Sequence, residues 1–360
     1  MPENNEINEF INRLEQQGEL VYINHGVDWK YEVRDIIKST KSNREKNPAI
    51  LFTNVKDYPG WRIFANALST IRKVGIALNI DPSFDDSQII EEFKNRLASG
   101  IAPVIDPGVL TDEVTYTDKD VNLFSLPVPW WSREDGGRYI GTWHLNISKD
   151  PTTGIRNVGV YRMQLIDSNH TAVSVSSKSH LARQIEMAER KGSSLEMAMS
   201  IGVPETMVMA AGASIPYGVD EFHAAGGLAK KPVVLVNCKT IQVEVPKSSE
   251  IILEGRIVPK VRIMEGPFLD YAGVPKSNPS ALVFEVICLR HKRNPIFRGA
   301  AIGYEGAEDH VLYALLAMAG DLDFHGSPVR QRIQNFFLKR GMFRQFQFVG
   351  ALRQKLKSCC

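Results

Sequence analysis

Two short segments hold residues whose types and spacing could do acid–base or anion-binding chemistry. The first is Asn157-Val158-Gly159-Val160-Tyr161-Arg162. An arginine offers a planar fork of donors that suits a carboxylate, and a nearby glycine lets a ligand approach the backbone closely. Residues five apart on an extended strand point to opposite faces, so Asn157 and Arg162 share one site only if a bulge or loop intervenes. Taken alone, the segment suits an exposed hairpin with a surface arginine as well. The second segment is Glu265-Gly266-Pro267-Phe268-Leu269-Asp270, in which Gly266-Pro267 forces an irregular turn. Two carboxyl groups spaced by such a turn can occupy different environments. One stays ionised against an arginine while an apolar pocket pushes the other toward neutrality, the division that acid–base chemistry needs. Two solvated acids on a turn fit the same residues.

Metal ligands are scattered. His180 follows Ser179 at the start of a helical stretch, and Glu221 lies in YGVDEFHAAGGL beside His223. No HxxxH, HExxH or CxxC spacing occurs, so spacing alone leaves His180 open as a ligand, a cap or a packing residue. No Walker loop, GxGxxG or GxSxG is present, and the glycine-rich DGGRYIGT precedes a strand rather than opening a helix.

The elements that must position these residues fall into two textures. Up to about residue 110, helical spacing over residues 6–17, 31–39, 67–78 and 86–98 alternates with strand-like runs at 20–23 and 49–54, an α/β unit. From about 115 the chain turns to short strands with Gly/Pro punctuation. Residues 144–148 and 157–166 flank DPTTG as a hairpin, and further strands are expected at 206–210, 233–237, 241–245, 251–258, 260–264 and 281–290. That pattern predicts a β-barrel or sandwich. One helix interrupts at 180–191 and another follows at 308–319. Residues 329–357 carry Arg330, Arg332, Lys339, Arg340, Arg344, Arg353, Lys355 and Lys357 with almost no acid. They read as a solvated basic helix face, with Phe336, Phe337, Phe343 and Phe346 packing inward or against a neighbouring chain.

Bulk properties narrow the function classes. The 360 residues suggest two domains, and 43% hydrophobic with 23% charged residues is ordinary for a soluble globular chain. A net charge of +2 gives no electrostatic reason to expect nucleic acid or an anionic membrane. The start, MPENNEINEF, lacks the basic and apolar regions of a signal peptide, and no uncharged apolar run reaches a membrane span. The four cysteines, Cys238, Cys288, Cys359 and Cys360, suggest no disulfide framework, which suits a reducing cytoplasm.

Taken in order, GGRYIGT, DPTTG, NVGVYRMQ, the His-led helix, YGVDE…AGGL, VEVPKSSEIILEGRI, EGPFLDYAGV and LRHKRNPIF resemble the UbiD family of decarboxylases over roughly residues 5–305. That family includes the ferulic acid, hydroxybenzoate and polyprenyl-hydroxybenzoate enzymes. The resemblance implies an α/β (α+β) fold: an N-terminal α/β domain (1–114), a central split β-barrel that binds prenylated FMN (115–305), and a helical basic tail (306–360) in place of the family's C-terminal domain. It implies reversible, non-oxidative decarboxylation of an aromatic or α,β-unsaturated acid, with cofactor from a flavin prenyltransferase and a homo-oligomeric state. Asn157, His180 and Glu221 match the family's Mn2+ ligands, and Asn157, Val158, Gly159, Val160, Tyr161, Arg162, Ser179, His180 and Glu221 its cofactor-contacting positions. A K+ ion on backbone carbonyls near Ala210, Ala211 and Ala213 is a further implication. Arg162, Glu265 and Asp270 match the catalytic trio, with Asp270 as a neutral acid that protonates carbon after CO2 leaves. The motif departs from the commoner EGPFGE at Leu269 and Asp270, and Leu269 adds a side chain to a loop expected near substrate. A non-catalytic or partner-dependent relative, and an ordinary FMN oxidoreductase, are the alternatives.

Overall fold

Amphipathic spacing builds the N-terminal unit. The computed structural model describes residues 6–40, 47–108 and 113–319. In α1 (Glu6–Gln16), Ile7, Phe10, Ile11 and Leu14 form the buried stripe, an i, i+3, i+4, i+7 pattern. There follow β1 (Leu20–Ile23), α2 (Glu32–Thr40), β2 (Ala49–Phe52), β3 (Arg62–Ala65), α3 (Ile71–Ala77) and α4 (Asp86–Ala98). The helix expected over 67–78 starts late because Thr70 caps it, its side chain accepting the Lys73 amide. Asp85 and Gln88 form a reciprocal capping box on α4. Strand β2 is buried on both faces: Ala49 and Leu51 join one core while Ile50 and Phe52 join the other. This explains its continuous apolar run.

The central part contains β4 (Val104–Ile105), β5 (Glu113–Thr117), β6 (Tyr139–Gly141), β7 (His144–Lys149), β8 (Arg156–Gly159), β9 (Met163–Leu165) and β10 (His170–Val173). Next come α5 (His180–Arg190), β11 (Leu195–Ile201), α6 (Glu205–Ala211), α7 (Glu221–Ala229), β12 (Val234–Asn237) and β13 (Glu244–Pro246). The described chain ends with β14 (Ile251–Leu269), β15 (Pro275–Lys292), β16 (Ile296–Arg298) and α8 (Glu308–Met318). Nine strands curl into a half barrel in the order β6-β9-β10-β15-β14-β11-β7-β8, with β5 paired to β15. A small sheet, β13-β12-β4, stands apart from it. In the N-terminal sheet, β1-β2-β3-β16, the last strand arrives from the far end of the barrel sequence.

Three expectations are corrected. Residues 206–210 are not a strand but the centre of α6. Their apolar run is buried almost throughout, so periodicity cannot tell helix from strand, and its Met and Ala residues favour helix. The strands expected at 251–258 and 260–264 are one long element, β14, bent by register shifts rather than ended by a turn. The strand expected over 241–245 begins only at Glu244. The basic stretch at 329–357 and the cysteine pair lie outside the described residues. No helix among the described residues is long and apolar enough to cross a membrane.

A buried ion cluster ties the two regions together. Arg298, at the end of β16, donates from Nε to Glu205 of α6 (2.7 Å) and from Nη2 to Glu308 of α8 (2.5 Å). Glu308 also accepts the backbone amides of Asn66 (2.7 Å) and Leu68 (2.9 Å), beyond β3. Removing one member of such a buried pair typically costs about 3–5 kcal/mol, because a charge stays buried without a partner. Glu308→Ala is expected to lose at least about 3 kcal/mol of unfolding free energy in urea. A loss below about 1 kcal/mol, the scale of a surface pair, contradicts the clamp.

Candidate active site

The two chemistry-bearing segments meet because β8 ends at Gly159 and β9 begins at Met163. Residues 160–162 leave the ladder. The intervening loop required for Asn157 and Arg162 to share a site is therefore present. Gly159 allows a tight return, since a Cβ there would fall 2.7 Å from the Tyr161 ring.

Arg162 and Glu265 form a bidentate pair, Nε to Oε1 at 2.9 Å and Nη2 to Oε2 at 2.7 Å. Glu265 is fully buried and also accepts the Tyr139 hydroxyl at 2.6 Å. Three donors satisfy this one carboxyl group, and the bidentate pair holds the guanidinium in one plane. Phe268 lies under the Arg162 guanidinium at 5.4 Å and against Tyr139 at 4.2 Å between ring centres. The register of β14 against β15 shifts on either side of Glu265, turning this residue inward behind Arg162.

Arg162 and Asp270 line one cavity of about 760 Å³, together with Asn157 to Tyr161, Ser179, His180 and Glu221. That volume suits a cofactor-sized ligand. Glu265 does not line it and acts from behind Arg162. Asp270 is 4% exposed, and its surroundings are not the wholly apolar pocket that the sequence suggests. Lys276 Nζ lies 2.5 Å from its Oδ2, and the Ala272 amide donates to Oδ1 at 2.9 Å. Leu269 turns away from the cavity and packs on Gly303, where a Cβ would come within 2.8 Å of it. Its extra bulk therefore does not reach a ligand.

At the other end of the cavity, His180 and Glu221 are the first residues of α5 and α7. Ser179 caps α5 by accepting the Ala182 amide, and Asp220 caps α7 by accepting the Phe222 amide. Both helix starts present their positive ends to the same region. His180 Nδ1 and Glu221 Oε1 are 3.7 Å apart. Glu221 Oε2 accepts the Val158 amide at 2.7 Å, which places Asn157 beside the pair. Burial pushes the Glu221 carboxyl up to about 7, and burial followed by the Arg183 charge lowers His180. Asn157 is 4% exposed and its Nδ2 has no hydrogen-bond partner among the described residues. The Glu221 carboxyl oxygens, an imidazole nitrogen and the Asn157 Oδ1 are lone-pair donors of the hard or borderline kind that suits a divalent cation, whereas the unpartnered Nδ2 suits an anionic group. Among the described residues no three His, Cys, Asp or Glu side chains cluster, so a third ligand to a cation here would have to be Asn157. For the K+ expectation, Ala211 and Ala213 line the cavity, while the Ala210 carbonyl already accepts the Ala213 amide at 3.0 Å.

The chain matches the model of the 3-octaprenyl-4-hydroxybenzoate carboxy-lyase Rift-related domain over residues 104–305, and that of the same family's N-terminal domain over residues 11–95. An uncharacterised protein of Archaeoglobus fulgidus is 32% identical, covering 84% of this chain and 65% of its own length. The pyrrole-2-carboxylic acid decarboxylase of Pseudomonas aeruginosa is 29% identical (87% of this chain, 65% of that protein), and the phenolic acid decarboxylase of Bacillus subtilis is 27% identical (83% and 64%). Among solved structures, the closed form of the vanillic acid decarboxylase of Sedimentibacter hydroxybenzoicus superposes with a TM-score of 0.82 at 26% identity (88% of this chain, 68% of that one). An evolved dimeric form of the UbiD-class enzyme HmfF from Pelotomaculum thermopropionicum, in complex with prFMN, gives 0.80 at 27% identity (88% and 71%). A split barrel sheet beside an α/β unit is the architecture these proteins share, and the chain belongs to the UbiD family. It spans 64% to 65% of the length of the curated relatives named above.

Sequence reasoning passed over three residues of the site: Tyr139, Asp135 and Lys276. Tyr139 and Asp135 lie in DGGRYIGT, where only the glycines draw attention. Asp135, pushed up to about 6 mainly by burial, accepts the Leu269 amide at 2.8 Å and so holds the Glu265–Asp270 segment. The glycines have a steric purpose: Gly136 donates its amide to the Pro267 carbonyl at 2.7 Å, and a Cβ on it would meet the Gly266 oxygen at 2.3 Å. The same test at Gly137 meets only the end of the Gln164 side chain, at 3.0 Å. Gly136→Ala is therefore expected to lower unfolding free energy by about 1–3 kcal/mol, with Gly137→Ala costing clearly less in the same denaturant titration. Equal effects at the two positions contradict the close approach of the turn.

Proposed function

We propose that this chain binds prenylated FMN and a divalent cation of the manganese type, and catalyses the reversible, non-oxidative decarboxylation of an aromatic or α,β-unsaturated carboxylic acid. The observation that carries the reading is the Arg162–Glu265 bidentate pair at the wall of a cofactor-sized cavity that Asp270 also lines. The activities for which two relatives are named, decarboxylation of phenolic acids and of pyrrole-2-carboxylic acid, agree with it.

Loss of CO2 from an sp2 carbon leaves an electron pair that no side chain can hold. The bound flavin would supply the electron sink. Asn157, His180 and Glu221 would hold the cation, which in turn would anchor an anionic part of the cofactor at the two helix starts. Glu265 occupies Nε and Nη2 of Arg162, which leaves the Nη1 corner for the substrate carboxylate. A guanidinium locked in one plane presents that corner without further ordering, so the carboxylate is oriented before the bond breaks. Asp270 would protonate the carbon once CO2 has gone.

The test uses protein produced together with a flavin prenyltransferase and Mn2+, offered a panel of phenolic, cinnamic-type and heteroaromatic acids while CO2 release is followed. CO2 release is expected from at least one acid. Arg162→Gln should lower that rate by about 10²-fold or more, with the flavin still bound. No CO2 from any acid, or ordinary FMN with NADH turnover, contradicts the reading.

A further inference from the structure

Lys276 stands where the sequence shows no expectation, and its geometry bears on how Asp270 works. The turn after β14 is tight: the Asp270 amide donates to the Val274 carbonyl (3.2 Å), and the Gly273 amide donates to the Asp270 carbonyl (2.8 Å). Lys276, opposite Phe268 in the β14–β15 register, is thereby carried back beside Asp270. Its ammonium lies 2.5 Å from Asp270 Oδ2 and 5.5 Å from the Tyr271 ring centre. The two side chains differ sharply in access to water, at 6% exposure for Asp270 and 52% for Lys276. Both line the cavity.

The contact between the Lys276 ammonium and Asp270 Oδ2 puts a solvent-reaching N–H donor directly on this buried carboxyl group. Building on the decarboxylase reading, we propose that Lys276 supplies the proton that Asp270 delivers to carbon, and connects this buried carboxyl to solvent. The carbon–carbon bond to the carboxylate breaks, CO2 leaves without the bonding pair, and that pair becomes the new C–H bond. A Lys276 N–H bond breaks to protonate the Asp270 carboxylate, and the Asp270 O–H bond so formed breaks in turn to give the C–H bond. Asp270 ends as a carboxylate, Lys276 ends neutral, and water re-protonates the exposed amine. The arrangement also keeps Asp270 from repelling an incoming anionic substrate, since the Asp270–Lys276 pair is neutral overall. Lys276 acts through Asp270 and does not itself touch the reacting carbon.

The other groups that face the pair are Arg162, which opposes the lysine charge, and Tyr271 and Tyr313, the latter feeling the Asp270 charge from α8. Asp309, on the same helix, lines the cavity as well and is pushed up to about 6 by burial. None of them lies within ion-pair distance of Asp270, whose one such partner among the described residues is Lys276. The hydrogen bond that Lys276 donates to Asp270 raises the lysine above its ordinary value.

The experiment compares the cofactor-loaded wild type with Lys276→Met and Lys276→Arg. A guanidinium keeps the ion pair but does not release a proton at accessible pH, so it separates a proton source from a counter-charge. Both variants are expected to lose about 10²-fold or more in kcat with KM little changed. In Lys276→Met the basic limb of the kcat–pH profile should fall by several pH units, from the amine range to the carboxyl range, because Asp270 must then carry its own proton. A carboxyl-carbon NMR titration of Asp270 in protein without cofactor gives a readout independent of turnover, with the wild-type group titrating at least about 1 pH unit below that in Lys276→Met. Full activity in Lys276→Arg, an unmoved profile in Lys276→Met, or coincident Asp270 titrations overturn the proposal while wild-type turnover stands. A wild type inert to every acid overturns the decarboxylase reading, and the relay with it.

Discussion

The site depends on one buried carboxylate with three donors. Glu265 has no exposed surface, and its oxygens are satisfied by the Arg162 fork together with the Tyr139 hydroxyl. Taking such a charge out of water costs several kcal/mol, which is recovered only when the geometry is good and the remaining lone pairs are satisfied. The surrounding construction follows from that demand. Register shifts in the β14–β15 ribbon turn Glu265 inward, Gly136 lets the turn settle, and Phe268 closes the stack under the guanidinium. An arginine held this way is oriented before any ligand arrives.

The two ends of the cavity solve different electrostatic problems. At the β14–β15 turn, charges are paired: Arg162 with Glu265, and Lys276 with Asp270. At the starts of α5 and α7 the carboxyl of Glu221 has only His180 within ion-pair distance among the described residues, and burial raises its pKa. The second end carries the buried Asn157 Nδ2 without a partner among the described residues, the condition that an anionic group would relieve. Between them, the Arg298 cluster fixes α6 and α8 against the N-terminal sheet, so the cavity wall formed by these helices is anchored on both sides.

Much of this was legible in the residues. The stripe of α1 has helical period, and strand β2 reads as continuously apolar because two cores claim its two faces. The EGPFLD and NVGVYR segments are recognisable because chemistry constrains their residue types. Other features were hidden for physical reasons. Helix α6 lies among other elements on nearly all sides, which erases the period that distinguishes helix from strand. The fourth strand of the N-terminal sheet, β16, comes from more than 200 residues downstream of β3 in the chain, a pairing that local pattern cannot show. Lys276 sits in VPKSNPS, which reads as an ordinary polar turn. Only the path of the hairpin reveals that its ammonium returns to Asp270. The same hairpin path puts a lysine, not only apolar neighbours, beside Asp270.

The most direct test of the central claim is a crystal structure of the cofactor-loaded protein with an unreactive aromatic acid bound. The account predicts the ligand carboxylate within hydrogen-bond distance of Arg162, with the Arg162–Glu265 fork intact behind it. A carboxylate seated elsewhere in the cavity, or an Arg162 turned away from Glu265, contradicts it.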